Sequence, residues 1–158
     1  MVYLKDNLRY QNVLSKKYCR NYNELPTCFE EFEKEIKDNQ IDIKGPFFVS
    51  MNDFKEDGPV DIELFAPVYS SSIKIPQEMC FHSYYGVERM ASSVVKENID
   101  KNVLPHLYMI NATVRAIGCK VTSPIYFVYE NLFNQGYITI KMAYSKDREI
   151  DNQKVKNN

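Results

Sequence analysis

Apolar positions along the chain follow two periods, one helical and one of strand type, and both recur. Leu25, Phe29, Phe32 and Ile36 fall at helical spacing, with Glu30, Glu31, Glu33, Lys34 and Glu35 between them turned toward water. This predicts a helix over 24–38, with Asn23 as its cap and Pro26 tolerated in the first turn. Leu107, Ile110, Val114 and Ile117 make a second stripe, predicting a helix over 104–118 with Asn102 as cap and Pro105 near its start. A first strand is expected over 8–18, where Tyr10, Val13 and Leu14 lie among polar residues. Gly45-Pro46 opens the apolar run Phe47-Phe48-Val49-Ser50-Met51, a buried strand. Turn chemistry over 52–58 then leads to Val60, Ile62 and Leu64, which alternate with Asp61 and Glu63 as the second arm of a hairpin.

The later half repeats this order. Ser123-Pro124 stands where Gly45-Pro46 stood, and Ile125-Tyr126-Phe127-Val128-Tyr129 follows as Phe47 to Met51 did. A turn through Asn131, Asn134 and Gly136 leads to Ile138, Ile140 and Met142, alternating with Thr139 and Lys141; these match Gly58 and Val60, Ile62 and Leu64. Helix, Pro, apolar strand, turn and alternating strand in one order twice is the signature of an internal repeat. Residues 67–76 read as a linker, and 79–96 as one bent strand or two strands broken near 86–90, with a helix over 87–95 as the alternative. The expected architecture is α+β: a tandem strand-helix-strand-strand repeat forming a curved antiparallel sheet with two helices on one face. The domain spans 1–145 (repeat one about 8–66, repeat two about 79–145), and the Asn/Lys-rich segment 146–158 is expected to be a flexible tail. The opposite, concave face would leave a groove between the halves, a common kind of ligand site.

Composition narrows the function. With 44% hydrophobic and 26% charged residues the 158-residue chain is ordinary for one folded domain. A net charge of -1 with interspersed signs gives no basis for binding nucleic acid or an anionic membrane. No apolar run approaches the ~20 residues that span a bilayer. Cys19, Cys28, Cys80 and Cys119 are scattered without close pairs behind no apolar leader, so a cytoplasmic protein with reduced thiols is expected. Tyr (12) and Phe (9) are abundant and can wall a core or a groove.

The segment from Ser123-Pro124 through Val128-Tyr129-Glu130, set in the tandem repeat over roughly 8–144, resembles the GyrI-like family of effector-binding domains and small stand-alone proteins. In drug-sensing members a Glu on the corresponding strand sits in the groove and pairs with cationic guests. The resemblance therefore implies Glu130 as the ligand acid, with Tyr126 and Tyr129 beside it and Phe48 on the matching strand. The family's His-x-Gly-x-Tyr-like segment is missing, as is the DNA-binding arm of the regulators, which argues against a transcription factor. The stretches Lys44-Gly45-Pro46-Phe47-Phe48-Val49-Ser50-Met51-Asn52 and Glu78-Met79-Cys80-Phe81-His82-Ser83-Tyr84-Tyr85 are closer to a family of small proteins of low-GC Gram-positive bacteria. Those proteins are often encoded beside type VII secretion toxins of the LXG class, which implies a secreted toxin or its chaperone as partner.

Residue chemistry alone points to no enzyme. Cys80 and His82 share a strand face, but neither a third metal ligand at motif spacing nor an orienting group for a Cys-His nucleophile accompanies them. No glycine-rich phosphate loop exists among five glycines, and no cofactor is implied. Glu63 is expected to pair with Lys141 at the surface. The acidic side of the first helix is a solvated face or a docking surface, and Tyr18 and Tyr22 at the helix entry mark an interface. The expected role is non-enzymatic: binding a lipophilic cation or a protein segment in the groove. The alternatives are an adaptor without a ligand cavity, or a small hydrolase.

Overall fold

The computed structural model describes residues 1–130 and 136–147. Strand β1 (Tyr3–Asn21) runs into a one-turn 3-10 helix (Tyr22–Glu24) and α1 (Leu25–Asp38). Then come β2 (Phe47–Met51), β3 (Pro59–Pro67), β4 (Cys80–Val95), α2 (Ile99–Ala116), β5 (Cys119–Val121), β6 (Ile125–Tyr129) and β7 (Ile138–Lys146). Every strand pairing is antiparallel, giving a seven-stranded sheet with two helices, the α+β class expected from the pattern.

The boundaries differ where local chemistry misleads. α1 begins at Leu25 as the stripe requires, but Asn23 lies in the 3-10 turn and caps nothing. α2 starts five residues before its expected start, because Ile99 and Val103 extend the stripe of Leu107, Ile110 and Val114 upstream. Asn98, in the left-handed region at φ 46°, precedes the helix, so Asn102 lies inside the first turn and Pro105 inside the helix. The Asn102 side chain donates to the Glu97 carbonyl at 2.6 Å. Ile117, expected at the end of the stripe, is 48% exposed because the helix stops at Ala116 ahead of Gly118, whose φ of 74° suits glycine. β4 is one continuous strand rather than two strands or a helix.

The sheet curls until it closes. Its neighbours run β4-β1-β3-β2-β6-β7, and β4 also pairs with β7 through Met90 to Val95, so six strands form a ring and β5 extends the far end of β7. β1 makes this possible by its length: Tyr3 to Ser15 pair with β4 while Val13 to Asn21 pair with β3. At the junction of β2 and β6, Phe47 faces Tyr129 and Met51 faces Ile125, so Val49 lies opposite Phe127.

Strand alternation then sorts side chains to the two faces. Both helices cover one face, where Leu25, Cys28, Phe29, Phe32, Ile36, Val103, Leu107, Ile110 and Val114 pack on Val49, Met51, Phe127, Ile138, Ile140 and Met142. Each of these larger side chains contributes about 1.5–3 kcal/mol by leaving water. The other face holds a second cluster of Leu8, Val13, Phe48, Phe65, Met90, Tyr126, Val128 and Ala143. Lys16 on β1 pairs with Glu35 on α1 at 2.9 Å. Lys141 pairs with Asp6 at 3.2 Å and donates to the Asn7 carbonyl, rather than meeting Glu63 as expected.

Candidate functional site

The residues expected to form one groove divide between two faces. Phe48 and Tyr126 lie inside the curled sheet, both buried, as strand parity requires. There Phe48 stacks on Phe65 with ring centres 4.5 Å apart and on Tyr10 at 5.2 Å. The Tyr126 hydroxyl is hydrogen-bonded to that of Tyr85 at 2.8 Å. The concave face is thus filled by the protein's own rings instead of standing open around Phe48 and Tyr126. Glu130 is exposed at the rim, close enough that its charge, after burial, raises the pKa of Tyr10. Tyr129 points the other way, into the helix-covered layer. Three positions along β6 separate Tyr129 from Tyr126, an odd step that sends their rings to opposite faces, and the two tyrosines do not flank Glu130 together.

His82 on this inner face is hydrogen-bonded to the buried Ser15 hydroxyl at 2.9 Å, while Cys80 is exposed. Among the described residues no group of three or more His, Cys, Asp or Glu side chains could hold a metal ion. All four cysteines are free thiols, Cys28 and Cys119 buried.

A cavity lies on the helix side. It has a volume of about 740 Å³ and opens between the first turns of α1 and α2. Its apolar walls are two edge-to-face aromatic pairs: Tyr22 against Phe54 at 5.0 Å and Phe29 against Tyr129 at 4.9 Å. Each comes from a different element: Tyr22 from the 3-10 turn, Phe29 from α1, Phe54 from the β2–β3 loop and Tyr129 from the end of β6. Leu25, Pro26, Ile99 and Ile138 complete the apolar lining. Glu30, Glu33, Glu56 and Asp100 also line it, and among the described residues no Lys, Arg or His does. Glu33 is tied to Lys37 at 2.5 Å; among the described residues Glu30, Glu56 and Asp100 are in no ion pair. Burial, with the charge of Asp100 adding to it, pushes the Tyr22 hydroxyl up to about 12. Burial, then Tyr22 and Asp100, also raise that of Tyr129, so both phenols stay neutral donors at ordinary pH. Aromatic faces and unopposed carboxylates around one volume are the surroundings a desolvated organic cation requires.

Of the residues around this cavity, Tyr129 was named as a ligand residue through the family resemblance, Tyr22 as an interface marker, and Glu30 and Glu33 as part of an acidic helix face. Phe54, Glu56, Ile99 and Asp100 were missed, since they arrive from a loop and from a helix turn upstream of its expected start. Reading Tyr129 by parity against Tyr126 was the available signal, because it sends the ring toward the helices. A second cavity, of about 600 Å³, adjoins the first through Glu33 and Tyr129 and reaches Lys44, Tyr69 and Glu130.

The fold has counterparts among solved structures. The chain matches EcmrR in its complex with DNA with a TM-score of 0.65 at 14% identity, over 91% of this chain and 59% of that one. It thus spans less than two thirds of that EcmrR chain. The EcmrR C-terminal domain matches with a TM-score of 0.61 at 12% identity, over 92% of this chain and 100% of that one. A hydrolase from Listeria innocua matches with a TM-score of 0.56 at 6% identity, over 90% of this chain and 92% of that one. At these identities the likeness is one of fold. Among curated proteins the sequence has no match. The family model for the domain of unknown function DUF5085 matches residues 9–146, and the chain belongs to that family.

Proposed function

We propose that this chain is a non-enzymatic small-molecule-binding domain that takes a lipophilic cation in the cavity between the N-terminal turns of α1 and α2. The observation that carries this reading is the lining: two aromatic pairs around about 740 Å³ with Glu30, Glu56 and Asp100 unpaired beside them, and no basic side chain among the described lining residues. That volume is within the ~300–1,000 Å³ typical of small-molecule pockets. The shared fold with the EcmrR C-terminal domain supports a ligand-binding role, since the GyrI-like likeness implies effector binding. The site moves from the inner groove to the helix side because Phe48, Phe65 and Tyr126 fill the groove. Net charge -1 disfavours nucleic acid as partner.

The tandem repeat belongs to the same proposal. Exchanging β1 with β4, β2 with β6 and β3 with β7 leaves the ring of pairings unchanged, which supports two halves related by a pseudo-twofold rotation. The sequence resemblance over 44–52 and 78–85 supports a gene neighbourhood beside a type VII secretion toxin, and the scattered free cysteines support a cytoplasmic setting. The filled inner face favours one second reading, an adaptor that meets a protein partner through its surface.

Calorimetry with tetraphenylphosphonium and its isosteric anion tetraphenylborate tests the ligand. The cation is expected to bind and the anion to fail. Asp100→Asn, which removes an exposed carboxylate, should weaken the cation by about 0.2–1 kcal/mol, the range for a solvent-exposed charge pair. Equal binding of cation and anion would remove the charge argument. A failure of both, together with indifference to the cavity-filling Ile99→Trp, would remove the site.

A further inference from the structure

The two helices cover the same sheet face, but their outer surfaces differ in kind. α1 turns Glu30, Glu31, Lys34, Lys37 and Asp38 to solvent and ties all of them but Glu30 into pairs: Lys34–Asp38 at 2.9 Å, Arg20–Glu31 at 3.3 Å and Lys37–Glu33 at 2.5 Å. On α2 the positions facing away from the core are Lys101, Pro105, Tyr108, Ala112 and Arg115, flanked by Met109 and the half-buried Leu104. Tyr108 is 67% exposed and Met109 36%. The steps between the five central residues alternate four, three, four, three, which keeps them on one seam of the helix. The helix is 18 residues long, about 27 Å at 1.5 Å per residue. The middle of the seam is apolar, and a cation stands at each end. Neither Lys101 nor Arg115 is in an ion pair among the described residues.

We infer that the outer face of α2 is a docking surface for an amphipathic helix of another protein, one whose apolar stripe is flanked by carboxylates. Charge decides between occupants. A second copy of this chain pairing α2 on α2 brings cation against cation in either direction: Lys101 meets Arg115 if the helices run antiparallel, and each meets itself if they run parallel. The outer face of α1 on a second copy offers acids but no large apolar residue to cover Tyr108 and Met109. A partner helix with a leucine stripe and glutamates beside it satisfies both features at once, as in helix pairs whose flanking charges set the choice of partner. This surface is separate from the ligand cavity, which α2 lines only through Ile99 and Asp100.

The probe is a labelled three-heptad peptide with leucine at a and d and glutamate at e and g, measured by fluorescence anisotropy. A control peptide has lysine replacing each glutamate. The full chain should bind the acidic peptide at least tenfold more tightly than the basic one. Tyr108→Glu and Met109→Glu, both at exposed positions, should each weaken it at least tenfold with the circular dichroism spectrum unchanged. Arg115→Glu should narrow the preference for the acidic peptide. Three results would each overturn the inference: no binding of the acidic peptide, equal binding of the two peptides, or a dimer in sedimentation that Tyr108→Glu dissociates. The last would assign the face to a second copy of the chain.

Discussion

Tyr18 carries a buried hydroxyl that finds no hydrogen-bond partner among the described residues, although Lys16 and Arg20 both lie over its ring at 5.4 and 5.8 Å. The ring's packing stabilises the fold while the hydroxyl costs desolvation, so Tyr18→Phe should raise unfolding stability by about 1 kcal/mol in a urea titration. Asp6 shows the opposite economy. Burial disfavours its charge, but hydrogen bonds from Ser92 and the Asn7 amide and the ammonium of Lys141 outweigh that and hold its pKa below 3.8. A depressed folded-state pKa gives stability that is present above the unfolded value and lost as pH falls through the folded one. Wild type should therefore lose stability below about pH 4 more steeply than Asp6→Asn, and parallel acid-side slopes would refute this. Sequence parity placed Phe48, Tyr126 and Val128 on one face correctly. What it could not supply was whether that face stands open. Phe65, Tyr10 and Tyr85 come from three other strands to fill it, and their meeting depends on sheet closure rather than on spacing.

Elements were legible in proportion to their periodicity. α1 lies where its stripe of Leu25, Phe29, Phe32 and Ile36 demanded, and β2, β3, β6 and β7 follow their apolar alternation. α2 was placed late because Asn102 and Pro105 imitate a helix start, while the effective start signals, Ile99 and Val103, lie before them. β4 resisted because Gly86 and the polar residues around it interrupt alternation in a strand held by partners on both sides, β1 and then β7. The strand pair β2–β6 joins the halves, and its inner face depends on Phe48, which stacks between Phe65 and Tyr10. Phe48→Ala should cost about 3–5 kcal/mol, the range for deleting a fully buried aromatic ring. A loss under 1 kcal/mol in thermal and urea unfolding would show that the inner cluster does not support the sheet.

At the scale of the molecule, closure is the feature that local pattern does not encode. The halves share β1–β4 and β2–β6 contacts, so neither completes its sheet alone. Unfolding should accordingly be a single transition by near- and far-ultraviolet circular dichroism, and two separated transitions would make the halves independent units. Closure also moves the proposed binding site, since it turns the expected groove into a packed interior and leaves the volume at the helix ends. The measurement that bears most directly on this account is residue-by-residue chemical-shift mapping of the isotope-labelled chain during titration with tetraphenylphosphonium. The account predicts shifts concentrated at Tyr22, Phe29, Ile99, Asp100 and Tyr129. Shifts centred instead on Phe48, Tyr85 and Tyr126 would return the ligand to the inner face and contradict it.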